Sequence, residues 1–74
     1  MTLNDLQDGE TAVITDISAA DFTVKRLADM GILSGVKVTL IKRAPFFDPI
    51  EIRVFGIDFA IRQDLANRIK VERV

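Results

Sequence analysis

The sequence predicts a small, mainly β domain: five short strands in a strongly bent sheet, one short helix after the first strand and a helical turn before the last. Three observations carry this reading. Apolar and polar residues alternate with a period of two through most of the chain, one stretch alone has helical spacing, and glycine or proline marks the intervals between segments.

Leu3 and Leu6 lead into Asp8-Gly9, a turn pair because glycine accepts positive φ and aspartate bonds to nearby backbone. Thr11 to Ile17 is rich in β-branched residues and forms the first strand, with Ala12, Ile14 and Ile17 directed inward. The spacing then changes. Between Asp21 and Met30, Val24, Leu27 and Ala28 fall on one helical face and Lys25, Arg26 and Asp29 on the other. Thr23 or Asp21 is expected to cap the start of this helix, and Gly31 followed by Ile32 to close its end.

Gly35 opens a turn into the second strand, where Val36, Val38 and Leu40 alternate with Lys37, Thr39 and Ile41 as far as Arg43. Ala44 to Pro49 is a loop, because proline lacks the donor that a central ladder needs. Ile50, Ile52 and Val54 form the third strand, Gly56 turns the chain, and Ile57, Phe59 and Ile61 form the fourth. Gln63 to Arg68 has room for one helical turn, with Leu65 and Ala66 inward and Asp64 as a cap, before Ile69 and Val71 in the last strand. Strands this short, interrupted this way, suit a sheet that curls on itself as a partly open SH3-like barrel; a flat sheet with the helix across one face is the alternative.

Composition limits the function. The chain has 74 residues and is read as one domain spanning 1–74; at this size about 60% of the unfolded surface is buried on folding. It has no cysteine and no histidine, so there is no disulfide framework and no nitrogen or sulfur metal site. No cofactor is expected. Ten basic and eleven acidic residues nearly cancel, without the basic excess of a nucleic-acid binder. Residues 1–9 hold no secretory h-region and no apolar run reaches spanning length, so direct membrane insertion is not expected and a cytoplasmic location is.

Arg26-Leu27-Ala28-Asp29-Met30-Gly31-Ile32, followed by Gly35 and Val38, resembles the hallmark of the ferrous iron transport protein A (FeoA) family. Leu3, Leu6, Gly9 and Ile14 are similar to that family's opening, Asp48-Pro49-Ile50 to its loop-to-strand step, and Gly56, Ala60, Arg62, Ala66, Ile69 and Val71 to its closing hairpin and last strand. Asp8 and Ser34 depart from it, standing where proline is common, and Ile61 replaces a frequent leucine. The resemblance implies a cytoplasmic, SH3-like, non-enzymatic accessory module whose partner is the FeoB-type ferrous iron permease. It also implies kinship with the module at the C-terminus of iron-dependent repressors, and hence a second reading as a self-associating regulatory barrel.

Four residues are the candidate partner-binding set: Arg26, Met30, Phe46 and Phe47. Arg26 and Met30 lie four apart on the helix; either they dock a partner, or Arg26 ties the helix to a loop and Met30 fills the core. Phe46 and Phe47 are adjacent, so on a strand they face opposite ways and one is exposed as an anchor for a partner or a second copy; the alternative is a loop folded back to plug one barrel end. Lys42, Arg43, Arg53 and Arg62 form at most a weak basic strip across neighbouring strands, read as a solvated face. The scattered carboxylates of Asp16, Asp21, Asp29, Asp48, Asp58 and Asp64 are read the same way, and Ser18 and Ser34 have no base near them, so no catalytic set is expected.

Overall fold

The computed structural model describes residues 1–74. Strands β1 (Thr11–Ile17), β2 (Lys37–Arg43), β3 (Ile50–Val54), β4 (Ile57–Ile61) and β5 (Ile69–Arg73) form one antiparallel sheet in the order β4-β3-β2-β1-β5. Helix α1 (Asp21–Asp29) joins β1 to β2, and the single turn α2 (Gln63–Ala66) joins β4 to β5. A short 3-10 turn lies at Leu3–Asp5 and a non-helical turn at Pro45–Phe47.

Two bulges bend the sheet. β1 carries an extra residue between Ile14 and Asp16 opposite β5, and β2 carries one between Leu40 and Lys42 opposite β3. Each adds local twist, and the sheet curls around its apolar face. β4 and β5 do not pair, so the barrel stays partly open. All fifteen buried residues are apolar, and the alternation places them: Ala12 and Ile14 on β1, Val38 and Leu40 on β2, Ile50, Ile52 and Val54 on β3, Ile69 and Val71 on β5. Leu3, Leu6, Leu27, Ile32, Ile61 and Ala66 complete the cluster.

The helix ends as its sequence indicates. The Gly31 N–H donates to the Ala28 carbonyl at 2.9 Å and the Ile32 N–H to the Leu27 carbonyl at 2.8 Å, with Gly31 at φ +86°. These two bonds satisfy carbonyls that the helix leaves open, and Leu27 and Ile32, both buried, supply the accompanying apolar contact. The helix start differs from expectation. Ala20 is the N-cap, its carbonyl accepting from the Thr23 and Val24 amides, and neither Thr23 nor Asp21 caps. Asp21 instead occupies the first turn, where a carboxylate complements the helix dipole. Likewise Arg62, not Asp64, is the N-cap of α2. Ala28 and Ile57 are exposed rather than inward: on α1 only Leu27 is fully buried, and Ile57 lies at the tip of the hairpin.

Candidate functional site

The loop between β2 and β3 is held at its neck. The Ala44 N–H donates to the Pro49 carbonyl at 2.9 Å, the Phe47 N–H to the Ala44 carbonyl at 2.8 Å, and the Asp48 carboxylate accepts the Gln63 N–H at 3.0 Å, which fixes the loop to the start of α2. Between these ties Phe46 and Phe47 both adopt left-handed backbone, φ +66° and +68°. Consecutive left-handed residues do not send side chains to opposite faces as a strand would, and both rings are exposed where strand alternation leads one to expect one. Phe46 is 96% exposed and Phe47 66%. Nor does the loop plug the barrel. Leu3 and Leu6 are buried instead, and the Arg43 guanidinium ties their segment down, donating to the carbonyls of Asn4 at 2.5 Å and Leu6 at 3.1 Å.

Arg26 and Met30 line a second depression, between α1 and β4. Thr23, Arg26, Leu27 and Met30 form one wall, Ala60, Ile61, Arg62 and Leu65 the other, around a volume of about 260 Å³. Met30 is 40% exposed, so it does not fill the core. Arg26 is exposed, and the three ion pairs of the molecule lie elsewhere, at Arg53–Asp58, Arg62–Asp64 and Arg73–Glu10. The tie to a loop considered for Arg26 is made by Arg43. The two predicted clusters do not meet: the depression beside Phe46 and Phe47 is lined by Leu6, Gln7, Asp8, Arg43, Ala44 and Pro45 and shares no residue with the α1–β4 groove.

Charges elsewhere are engaged locally. Arg53 grips Asp58 on the neighbouring strand through Nε–Oδ1 at 2.6 Å and Nη2–Oδ2 at 3.0 Å, which lowers the Asp58 carboxyl below its ordinary range and raises the guanidinium. The Gln7 amide donates to Glu10 at 3.0 Å and, with Arg73, holds that carboxyl low. With Arg53 bound to Asp58 and Arg43 to loop carbonyls, the basic strip is broken up. No group of three or more Asp or Glu side chains is assembled as a metal site, and no helix is long and apolar enough to cross a membrane.

Sequence reasoning passed over three exposed apolar residues: Phe22 (68% exposed), Leu33 and Phe55 (77%). Phe55 and Gly56 form the two-residue turn between β3 and β4, at φ +51° and +78°, and the Phe55 ring lies over Gly31, where an added Cβ would come within 3.4 Å of it. A signal existed. Ile50, Ile52 and Val54 point inward, so Phe55 is out of step with the inner face.

The bent five-stranded sheet with its crossover helix defines a small SH3-like module. The model of the FeoA domain matches residues 1–73, and the chain belongs to the FeoA family. The Fe(2+) transport protein A/Fe(2+) transporter FeoB fusion protein of Porphyromonas gingivalis is 31% identical over 74 residues; the match takes in 100% of this chain but 9% of that much longer protein. The FeoA protein of Chlorobium tepidum, solved by NMR, superposes with a TM-score of 0.95 at 32% identity, over 100% of this chain and 70% of that one. A manganese-dependent transcriptional repressor shares the fold with a TM-score of 0.86 at 25% identity, over 100% of this chain and 36% of the repressor.

Proposed function

We propose that this chain is a non-enzymatic accessory module of ferrous iron uptake that docks, from the cytoplasm, on a FeoB-type permease through the exposed side chains of Arg26, Met30, Phe46 and Phe47. The observation that carries the reading is the fusion protein: a relative of the whole chain is joined there to a FeoB transporter. Joining two proteins raises their effective concentration for one another, a gain only if they work together. The surfaces suit such a role, since a nearly fully exposed phenylalanine on a pinned loop is a pre-ordered apolar anchor.

Saturable binding of the purified chain to the detergent-solubilised permease of the same organism tests this. Folded Phe46→Ser and Phe47→Ser variants are expected to weaken binding by about tenfold or more each, and Arg26→Ala by less. Absence of binding, with and without GTP and ferrous ion, removes the reading. A second reading, the self-associating regulatory module, is favoured by the shared fold of the manganese-dependent repressor. It requires a concentration-dependent dimer in sedimentation and recovery of a DNA-binding protein in place of a membrane protein.

A further inference from the structure

The sheet has two ends, and only one is covered. At β5 the Val71 N–H donates to the Met1 carbonyl at 3.0 Å and Thr2 bridges to Lys70, so the N-terminal segment occupies that edge. β4 has no such neighbour. Its register with β3 runs Val54↔Ile57, Arg53↔Asp58, Ile52↔Phe59, Glu51↔Ala60 and Ile50↔Ile61 around a two-residue turn. In such a hairpin the pair beside the turn exchanges both backbone bonds and the next pair does not, so Ile57, Phe59 and Ile61 bond to β3 while the N–H and C=O of Asp58 and Ala60 point away from the sheet.

The α1–β4 groove runs along this same edge. Its walls offer apolar surface from Met30, Ala60 and Leu65, and its charged groups are both cations, Arg26 and Arg62, with no acid among the lining residues. Arg26 has no ion-pair partner; Arg62 has only Asp64 at 3.9 Å, both side chains more than 80% exposed, a pairing too loose and too hydrated to hold it. Ala60, with a single methyl group, leaves room for another backbone to approach, and Met30 can adapt its shape to what enters.

We propose that the bare edge of β4 accepts an extended, carboxylate-bearing segment of the docking partner as a sixth strand, its backbone bonding to Asp58 and Ala60, its apolar side chains in the α1–β4 groove and its carboxylates on Arg26 and Arg62. Strand addition takes affinity from main-chain bonds and specificity from alternate side chains, and the groove supplies both requirements. The identity of the partner rests on the docking reading; the chemistry of the occupant rests on the edge and its arginines.

The test uses the full chain, labelled with nitrogen-15, titrated with a capped hexapeptide of alternating glutamate and valine and with its lysine-valine counterpart. Saturable amide shifts at Asp58, Ala60 and Arg62 are expected with the acidic peptide, with binding about tenfold or more weaker for the lysine peptide. Ala60→Pro removes an outward N–H without touching the β3 ladder and should abolish the shifts. Arg26→Ala with Arg62→Ala, at the surface, supplies the same test should proline disturb folding, and should weaken binding about tenfold. Shifts confined to the Phe46–Phe47 loop, equal binding of both peptides, or no saturation up to about 1 mM overturns the proposal. Running the same variants against the solubilised permease separates the two readings. Permease binding that ignores Ala60→Pro and Arg62→Ala but is weakened by Phe46→Ser and Phe47→Ser keeps docking and overturns strand addition; peptide binding at β4 without permease binding keeps the acceptor edge and removes the docking reading.

Discussion

β5 and β4 close the sheet on opposite sides and are finished in opposite ways. Beside β5, residues 1–6 supply a backbone bond, a bridge and two buried leucines, and Arg43 reaches across from β2 to bond the carbonyls of Asn4 and Leu6. Beside β4 no strand or terminus lies, and the outward side chains are Asp58 and Ala60, one charged and one small. An unpaired edge invites unwanted pairing, and Asp58 is the kind of residue that blunts it. The chain thus spends its N-terminus on stability at one edge and leaves the other free, beside a helix face on which Arg26 and Met30 are exposed.

That contrast can be broken from the covered side first. Leu3→Ala should cost about 2–5 kcal/mol, because it empties a fully buried site. Ala60→Ser on the bare edge should change stability by no more than about 0.5 kcal/mol. Urea unfolding of the two variants checks both, and equal losses would show that the edges do not differ. Arg43→Ala should cost about 1.5–3 kcal/mol in the same assay, since it strips a cationic donor from two loop carbonyls.

Phe55 sharpens the comparison at the open end. It holds φ +51° in a type I′ turn, where asparagine is at ease and an aromatic residue is not. Phe55→Asn should raise stability by about 1 kcal/mol in thermal unfolding. The smallest effect is electrostatic. Asp58 and Glu10 have folded pKa values depressed by Arg53 and by the Gln7 amide with Arg73, so the stability they add is present above the ordinary carboxylate range and lost as pH falls through the folded values. A carbon-13 carboxyl titration should place Asp58 below the ordinary aspartate value and Glu10 below the ordinary glutamate value. Asp58→Asn should flatten the acid-side loss of stability slightly.

Most of the architecture was legible in residue patterns. Alternation marked β1 to β5 to within a residue or two, because each strand buries one face, and Gly31 and Gly56 marked backbone that turns left-handed. The helix caps were misassigned because an acid in the first turn and an acid at the N-cap look alike in sequence, while the backbone of Ala20 does the work. The double exposure of Phe46 and Phe47 depends on two left-handed residues that no pattern of side chains reveals. Arg26 and Met30 share one helix and can be grouped from spacing alone, yet their neighbours Ala60, Arg62 and Leu65 come from a distant stretch, and only folding brings that edge beside the helix. Separations of that kind are set by tertiary packing, which local periodicity does not encode.

The most direct measurement is residue-resolved amide hydrogen exchange of the free chain and of the chain mixed with the FeoB-type permease proposed as its partner. In the free protein the amides of Asp58 and Ala60 should exchange at near-unprotected rates while Phe59 and Val71 are protected, and in the complex Asp58 and Ala60 should slow by about tenfold or more. Protection of Asp58 and Ala60 in the free chain, or unchanged exchange there in a saturated complex, would contradict the account.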